Sequence, residues 1–273
     1  MNLQNFSFKE TYDIGDLLEI MKILRAPGGC PWDREQTHES IRKCLIEETY
    51  EVVEAINRCD AGMLEEELGD VLLQVVFHAQ IEQENGSFSF RDVADGICKK
   101  LIIRHPHVFA DVSAETSEEV LKNWDDIKKE TKGQKTQSDS MNSVPRELPA
   151  LMRAQKVQQK AAKSGFDWDD VSGALDKLGE EISEFKEALE SGDRAHIADE
   201  LGDVLFSAVN VSRFAKLDAE ESLTLSTDKF VSRFTVVEQL ARQRGISMED
   251  ASLETLDTLW DEAKILLKNP RID

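Results

Sequence analysis

The chain contains the same acidic pair twice, each time inside an apolar stretch that favours a helix. ELGDVLLQVVFHA occupies residues 67–79, and ELGDVLFSAVNVS occupies residues 200–212. Apolar residues recur there at three- and four-residue spacing, the period of a helix with one buried face. A second acidic motif precedes each pair after the same spacer, EETYE at 47–51 and EEISE at 180–184. The chain is therefore expected to fold as two copies of one helical unit.

The two copies align with one constant offset through their acidic positions. The first copy contributes Glu48, Glu51, Glu67 and Asp70, and the second contributes Glu181, Glu184, Glu200 and Asp203. Flanking segments also match: CPWDRE around Trp32 resembles FDWDD around Trp168, and NWDDIKK at Trp124 resembles LWDEAKI at Trp260. The repeat unit is about 120 residues long, which is the size of a domain.

We predict an N-terminal domain over residues 1–132, a linker over 133–149 and a C-terminal domain over 150–273. The segment 133–149 is rich in polar turn formers and lacks apolar periodicity, as linkers do. Both domains are expected to be all-α, because neither half has the alternating pattern that strands require. Gly62 and Gly192 mark the expected turns of two antiparallel helix pairs that carry the acidic motifs.

The acids occupy positions that a purely structural helix would give to apolar residues. At about 100° per residue, apolar side chains share the face of each acid: Ile41, Leu45, Val52 and Ala55 beside Glu48, Met63, Phe77 and Ile81 beside Asp70, Leu178 and Phe185 beside Glu181, and Phe206 and Phe214 beside Asp203. A carboxylate there is costly unless it is neutralised, paired or metal-bound. Clustered carboxylates also repel one another and raise their own pKa values.

A hard divalent cation with oxygen ligands would relieve both costs. Di-iron bundle proteins place a histidine in an ExxH motif, whereas the motif here is ExxD. All-oxygen ligation favours Mg²⁺, with Mn²⁺ as the alternative. Because Mg²⁺ usually keeps positions open for water and substrate phosphates, the acids point to phosphate chemistry.

Charge and composition narrow the range of partners. The formal net charge of −21 disfavours binding to a nucleic-acid polymer, because it repels the phosphate backbone. No apolar run approaches the roughly 18 residues of a membrane span. The four cysteines, Cys30, Cys44, Cys59 and Cys98, form no CxxC motif, and a reducing cytoplasm fits them best. His105 and His107 flank a proline in RHPHVF, which favours a rigid turn over a metal pair.

The pattern EExxE, a spacer and ExxD resembles the signature of the all-α nucleoside triphosphate pyrophosphohydrolases, a superfamily that includes the dimeric dUTPases. Its tandem arrangement, with GCPWDREQT at 29–37, RHPHVF at 104–109 and LPALMRAQKVQ at 148–158, resembles the MazG family. The resemblance implies Mg²⁺-dependent hydrolysis of a nucleoside triphosphate to monophosphate and pyrophosphate by attack at the α-phosphorus. It also implies a homodimer that removes unwanted or noncanonical nucleotides.

The resemblance further assigns roles to individual acids. Glu181, Glu184, Glu200 and Asp203 match the metal-binding positions, and Glu48, Glu51, Glu67 and Asp70 form a second set. One carboxylate, Glu181 or Glu184, is expected to orient or deprotonate the attacking water. Members of the family rely on the C-terminal copy, so that copy is expected to be the main catalytic one.

Side chains around the acids differ between the copies. Lys177, one turn before Glu181, corresponds to Cys44, while Asn210 and Arg213 correspond to Phe77 and Gln80. The second copy thus adds cations and an amide, which a triphosphate and a base edge need. Lys229 and Arg233 are expected to extend the phosphate site, and Trp260 to stack on a base. The alternative is ordinary surface charge and a core tryptophan.

Two other functions remain open at this point. A non-enzymatic helical module could bind a nucleotide or protein partner through the paired bundles, although it would not need the intact acid sets. A phosphohydrolase that releases phosphate instead of pyrophosphate fits the same residues. A homodimer is expected in each case, because two helix pairs with few companions would leave apolar faces exposed in a monomer.

Overall fold

The structure is a computed structural model that describes residues 6–110, 116, 120 and 136–268. All regular secondary structure in these residues is helical, which confirms the all-α prediction. The chain divides into two compact units, Met1–Lys128 and Lys129–Asp273. Trp124, which we expected to match Trp260, lies outside the described residues.

The first unit is organised around a pair of long helices. Its described helices are α1 (Ile14–Arg25), α2 (Pro31–Glu35), α3 (His38–Arg58), α4 (Ala61–Asn85), α5 (Phe90–Arg104) and α6 (Pro106–Phe109). Helices α3 and α4 pack along each other, and α1 packs against α4. The core beneath them consists of Met21, Ile41, Val76, Phe77 and Ile81. Three of these, Ile41, Phe77 and Ile81, are among the apolar positions predicted to share a face with Glu48 or Asp70.

The turn between α3 and α4 differs from the prediction that Gly62 marks it. Cys59 ends α3 in the left-handed conformation, with φ of 52°, and Gly62 lies in the first turn of α4. The Asp60 side chain accepts hydrogen bonds from the backbone amides of Gly62 and Met63 and so starts α4 earlier. An N-cap carboxylate thus places the boundary two residues before the glycine.

The second unit repeats the long helix pair. Its described helices are α7 (Gln137–Asn142), α8 (Ala150–Ala162), α9 (Val171–Ser191), α10 (Arg194–Phe214), α11 (Ala219–Arg244) and α12 (Leu253–Lys268). Gly192, at φ 71°, ends α9 as predicted, and Asp193 caps α10. Helix α8 packs against α10, and α11 packs against α12 around a separate core: Val237, Leu240, Ala241, Leu259 and Ala263.

The described part of the predicted linker is more ordered than we expected. Residues 137–142 form α7, which begins at a capping box between Thr136 and Asp139. Ser140 and Val144 are buried, and Lys160 on α8 donates a hydrogen bond of 2.6 Å to the Ser140 hydroxyl. A helix this short has no apolar period to detect in the sequence, so its cap and its packing against α8 define it.

Candidate metal centre

Helices α3 and α4 bring carboxylates together in the first unit. Ligand oxygens of Glu48, Glu67 and Asp70 all lie within 4.8 Å of one another. Burial raises the pKa of Glu48, and the neighbouring Glu51 carboxyl and the charge of Asp70 raise it further. Burial likewise raises the pKa of Glu67, with the charge of Glu51 adding to the effect. Glu51 therefore stands beside the group of three, although it is exposed.

Helices α9 and α10 build the corresponding cluster in the second unit. Ligand oxygens of Glu181, Glu184 and Glu200 lie within 4.8 Å of one another. Glu181 is only 6% exposed, Glu200 is half-buried and Glu184 is exposed. Burial raises the pKa of Glu184, and its hydrogen bond with Glu181 raises it further. The Oε2 atom of Glu200 is buried without a hydrogen-bond partner, and Oε1 lies 3.2 Å from His196 Nε2.

Asp203, the fourth predicted ligand of this cluster, lies outside the group of three. It follows Glu200 by three residues and so projects from the same side of α10 one turn later. Its side chain is exposed, whereas the shared apolar face predicted burial. The neighbouring Phe206 is 45% exposed, because this part of α10 is open to solvent in the single chain.

A lysine distinguishes the two clusters. Lys177 Nζ lies 2.8 Å from a carboxylate oxygen of Glu180 and 2.8 Å from one of Glu181. These hydrogen bonds, first to Glu180 and then to Glu181, raise the pKa of Lys177. Cys44 occupies the equivalent position in the first unit, one turn before Glu48. The second cluster is therefore partly neutralised by a lysine on its own helix, where the first unit has a thiol.

Asn210 and Arg213, which we predicted to bind substrate, contact other protein groups in the structure. Arg213 Nη1 donates a hydrogen bond of 2.8 Å to Asp167, its Nη2 donates to the other oxygen of that carboxylate, and its Nε donates to Asn210 Oδ1 at 2.8 Å. The guanidinium carbon lies 4.4 Å from the centre of the Phe214 ring. The Arg213 hydrogen bonds lower the pKa of Asp167.

The other predicted substrate residues lie on the α11–α12 hairpin. The guanidinium carbon of Arg233 lies 5.7 Å from the centre of the Trp260 ring, and the Phe230 ring lies 5.1 Å from the same ring. Trp260 also packs on the core between α11 and α12. Lys229, one turn before Arg233, is exposed. Arg233 and Trp260 therefore contact each other. Helix α11 of their hairpin packs against α8 and α10.

Sequence reasoning missed several residues near the second cluster. The sequence analysis did not include His196, which contacts Glu200 in the structure. The four-residue spacing of the two residues could have predicted this contact, because it places them on one helix face. Asp167 and Trp168 were noted only as an echo of CPWDRE. The contact of Asp167 with Arg213 joins residues 46 positions apart, which local spacing does not show. Trp168 contacts Gly173, five residues later, at the first turn of α9.

Two helical hairpins that each bring three carboxylates together define an all-α protein with tandem acidic groups that could hold a metal ion. The MazG nucleotide pyrophosphohydrolase domain matches the chain twice, at residues 36–109 and 170–238, and each match contains one cluster. The chain belongs to this family.

Relatives match over nearly the whole chain. It is 48% identical over 254 residues to the nucleoside triphosphate pyrophosphohydrolase of Escherichia coli (strain K12), covering 92% of this chain and 97% of that protein. It is 47% identical over 249 residues to the nucleoside triphosphate pyrophosphohydrolase/pyrophosphatase MazG of Thermotoga maritima, covering 91% and 94%. Uncharacterized protein YabN of Bacillus subtilis is 48% identical over 254 residues, covering 93% of this chain and 52% of YabN.

Among the residues that the structure describes, none of the helices has both the length and the apolar character that a membrane span needs.

Proposed function

We propose that this chain hydrolyses nucleoside triphosphates to monophosphate and pyrophosphate with Mg²⁺ bound at its carboxylate clusters. The observation that carries the proposal is the convergence of Glu181, Glu184 and Glu200 within 4.8 Å, inside a match to a nucleotide pyrophosphohydrolase domain. The relatives in Escherichia coli and Thermotoga maritima bear names for the same reaction.

The residues of the second cluster fit a hard cation. Every ligand atom offered is a carboxylate oxygen, and the buried Oε2 of Glu200 has no hydrogen-bond partner. Since a buried carboxylate oxygen without a partner is costly, a positive charge beyond Lys177 would stabilise the cluster. Asp203 would join as the fourth ligand from the next turn of α10. Mg²⁺ is the first choice for such a site and Mn²⁺ the second.

The chain's own residues suggest a division of roles. Glu181 is buried and held by Lys177, which suits a fixed metal ligand. Glu184 is exposed to water, and its raised pKa suits a proton acceptor. We therefore assign the water proton to Glu184. Bound metal would lower the pKa of the water and offset charge on the phosphates.

The proposed reaction follows that of the family. The water oxygen forms a bond to the α-phosphorus as its proton passes to Glu184. The bond between the α-phosphorus and the oxygen that bridges to the β-phosphorus breaks, and pyrophosphate leaves with that oxygen. Lys177, one turn before Glu181 on α9, would hold phosphate oxygens.

The second unit is the proposed main catalytic site. Its Lys177 supplies a cation beside the acids, whereas the first unit has Cys44 at the equivalent position. The first unit, with Glu48, Glu51, Glu67 and Asp70, would keep a metal site with weaker, narrower or regulatory activity. We propose residues 1–132 and 150–273 as the two functional domains.

The proposed substrates are ribo- and deoxyribonucleoside triphosphates, including noncanonical ones, in a nucleotide house-cleaning role. Lys229 and Arg233 lie on α11, which packs against α10, and stay the proposed phosphate contacts. Trp260, Asn210 and Arg213 stay predicted substrate contacts. In this structure each of these three already has protein neighbours, so direct contact would require them to rearrange.

A homodimer is the proposed assembly. Large apolar side chains are exposed along two helices: Val93, Ile97, Leu101, Ile102 and Ile103 on α5, and Leu223, Leu225, Phe230, Val231 and Phe234 on α11. Exposed apolar faces of this kind mark interaction surfaces. The four cysteines are free thiols, which supports the proposal of a cytoplasmic protein.

Product analysis tests the reaction class. Purified protein would be mixed with a panel of ribo- and deoxyribonucleoside triphosphates, with Mg²⁺ and with a chelator, and monophosphate, diphosphate, pyrophosphate and phosphate would be resolved. We expect monophosphate and pyrophosphate in equal amounts, lost with chelator and restored by added Mg²⁺. Diphosphate plus phosphate would instead indicate a different phosphohydrolase. No turnover by folded, metal-loaded protein would indicate a nucleotide-binding module.

A further inference from the structure

Two buried glutamines on α8 bind the backbone of the second unit's acidic hairpin. Gln155 and Gln158 are 8% and 6% exposed, and their three-residue spacing turns both toward one side of α8. Gln158 Nε2 donates a hydrogen bond of 2.8 Å to the backbone carbonyl of Phe206, in the middle of α10. Gln155 Nε2 donates one of 2.9 Å to the carbonyl of Leu217, just beyond the end of α10. Two amides of α8 therefore hold α10 at two levels.

The two glutamines differ in how completely their amides are hydrogen-bonded. Gln155 Oε1 accepts a hydrogen bond of 2.9 Å from the backbone amide of Ala219, so both ends of its amide are paired. Gln158 Oε1 is buried without a hydrogen-bond partner. A buried oxygen of this kind costs at least as much free energy as one hydrogen bond contributes. Gln158 therefore adds little net stability, and its donor to α10 is what distinguishes it from an apolar side chain.

The hydrogen bond from Gln158 acts close to the acids of α10. Phe206 follows Asp203 by three residues, which is about 4.5 Å along the helix. Within α10 the Phe206 carbonyl also accepts the amide hydrogen of the residue four positions later. A second donor that approaches from α8 fixes both the rotation and the axial position of α10 at this turn. The backbone that carries Glu200 and Asp203 is thus tied to a helix without any of the four acids.

Apolar packing at the same level is incomplete. An open cleft lies between α8 and α10, and Val157, Leu205 and Phe206 are among the residues that line it. The side chains of Leu205 and Phe206 are exposed. Since side chains that leave a cleft make fewer close contacts, they constrain the neighbouring helix less than a filled interface does. The hydrogen bond from Gln158 supplies a directional constraint that these apolar contacts lack.

The position of α10 determines the geometry of the second cluster. Glu200 and Asp203 project from α10, whereas Glu181 and Glu184 project from α9. Mg²⁺ demands a nearly octahedral arrangement with oxygen ligands at about 2.0–2.1 Å. A shift of α10 along or about its axis would move two of the four acids relative to the other two. Such a shift would lower the affinity for the metal without removing any ligand.

We propose that Gln158 is a positioning residue for the second cluster. Its hydrogen bond to α10 holds Glu200 and Asp203 where they meet the acids of α9 around a divalent cation. The inference rests on the proposed function and adds a residue of α8 to the site. Loss of a group that orients a metal ligand typically lowers metal affinity about 10–100-fold. Because Gln158 acts through the backbone of α10, we expect an effect at the low end of that range.

Mn²⁺ binding, measured by electron paramagnetic resonance, tests the proposal. The full chain would carry amides in place of the three acids of the first cluster, so that only the second cluster is measured. We expect Gln158→Met to raise the Kd for Mn²⁺ about tenfold. Its urea midpoint should change little, because the substitution also removes the unpartnered oxygen. Gln158→Asn, whose amide is too short to reach the Phe206 carbonyl, should raise the Kd in the same way.

Gln155→Met is the matched control. It removes a similarly buried amide from the same helix, but at the far end of α10 from the acids. We expect it to lower the urea midpoint, because it leaves two backbone groups unpaired, and to leave the Kd of the folded protein unchanged. An unchanged Kd in both Gln158 variants, or an equal rise in Gln155→Met, would overturn the proposal while the metal centre stands. If the parent protein does not bind Mn²⁺, the metal centre itself is wrong, and this inference with it.

The Mg²⁺ dependence of turnover provides a second readout. In Gln158→Met the Mg²⁺ concentration for half-maximal turnover of a triphosphate should rise about tenfold, in step with the Kd. Saturating Mg²⁺ should restore kcat, because every ligand of the second cluster is still present. A loss of kcat that saturating Mg²⁺ does not restore would contradict an action of Gln158 on metal binding.

Discussion

Replacing Gly173 with alanine tests the contact between Trp168 and α9. The new Cβ atom would lie 2.6 Å from Trp168 Cγ and 3.0 Å from Trp168 Cβ. Restoring ordinary contact at 3.5 Å or more requires the indole to move by about 1 Å. Overpacking of this size costs about 1–3 kcal/mol. Alanine in place of glycine in a helix recovers up to about 1 kcal/mol.

Because Trp168 is 43% exposed, its ring can move outward, and the cost should fall at the low end of that range. We expect Gly173→Ala to change the free energy of unfolding by no more than about 1 kcal/mol. The displaced indole should shift in fluorescence. Urea denaturation and fluorescence measure the two quantities.

Gly179→Ala is the matched control. Gly179 lies on the same helix, and nothing lies within 4 Å of its added Cβ. It should gain up to about 1 kcal/mol of stability and leave the fluorescence unchanged. If Gly173→Ala behaves like this control in both measurements, Trp168 does not rest on Gly173 as described.

Three further predictions concern the rest of the chain. Cys44→Lys should lower the pKa of Glu48, measured by carboxyl NMR, because it places a cation one turn before that acid. Burial lowers the pKa of His78 from 6.5. The unfolded chain therefore binds that proton more tightly, and the free energy of unfolding, measured by urea denaturation, should fall as pH drops below 6.5. This fall should be smaller in His78→Gln, whereas His105→Gln should show the same fall as the parent protein. Leu259→Ala, at a site 1% exposed, should cost about 2–5 kcal/mol in the same assay.

The helical repeat and the acidic clusters could be predicted because their signals are local. Acids at three-residue spacing on an apolar face must project together, so two such helices in a hairpin bring their carboxylates into one place. The structure joins three of the four predicted acids in each unit, and the two exceptions are Glu51 and Asp203, which are both exposed. Local spacing could not show the exposure of Asp203, since that depends on whether anything covers the α10 face around Phe206.

Long-range partners could not be predicted. Arg213 carries a charge that suits phosphate, yet its partner Asp167 lies on a segment far away in the sequence. Similarly, Ser140 lies in the predicted linker, and its hydrogen bond with Lys160 on α8 could not be predicted from spacing. In both cases the deciding contact joins residues that no periodic pattern relates. Residue type therefore indicated what these side chains can bind, while packing decided what they contact.

The most direct test of the account compares Glu181→Gln with Glu48→Gln in the full chain. Each change removes one negative charge from one cluster and keeps the shape of the side chain. We predict that Glu181→Gln abolishes release of monophosphate and pyrophosphate from triphosphates with Mg²⁺ present, while Glu48→Gln keeps most of it. Full turnover by Glu181→Gln, together with loss in Glu48→Gln, would contradict the assignment of catalysis to the second unit.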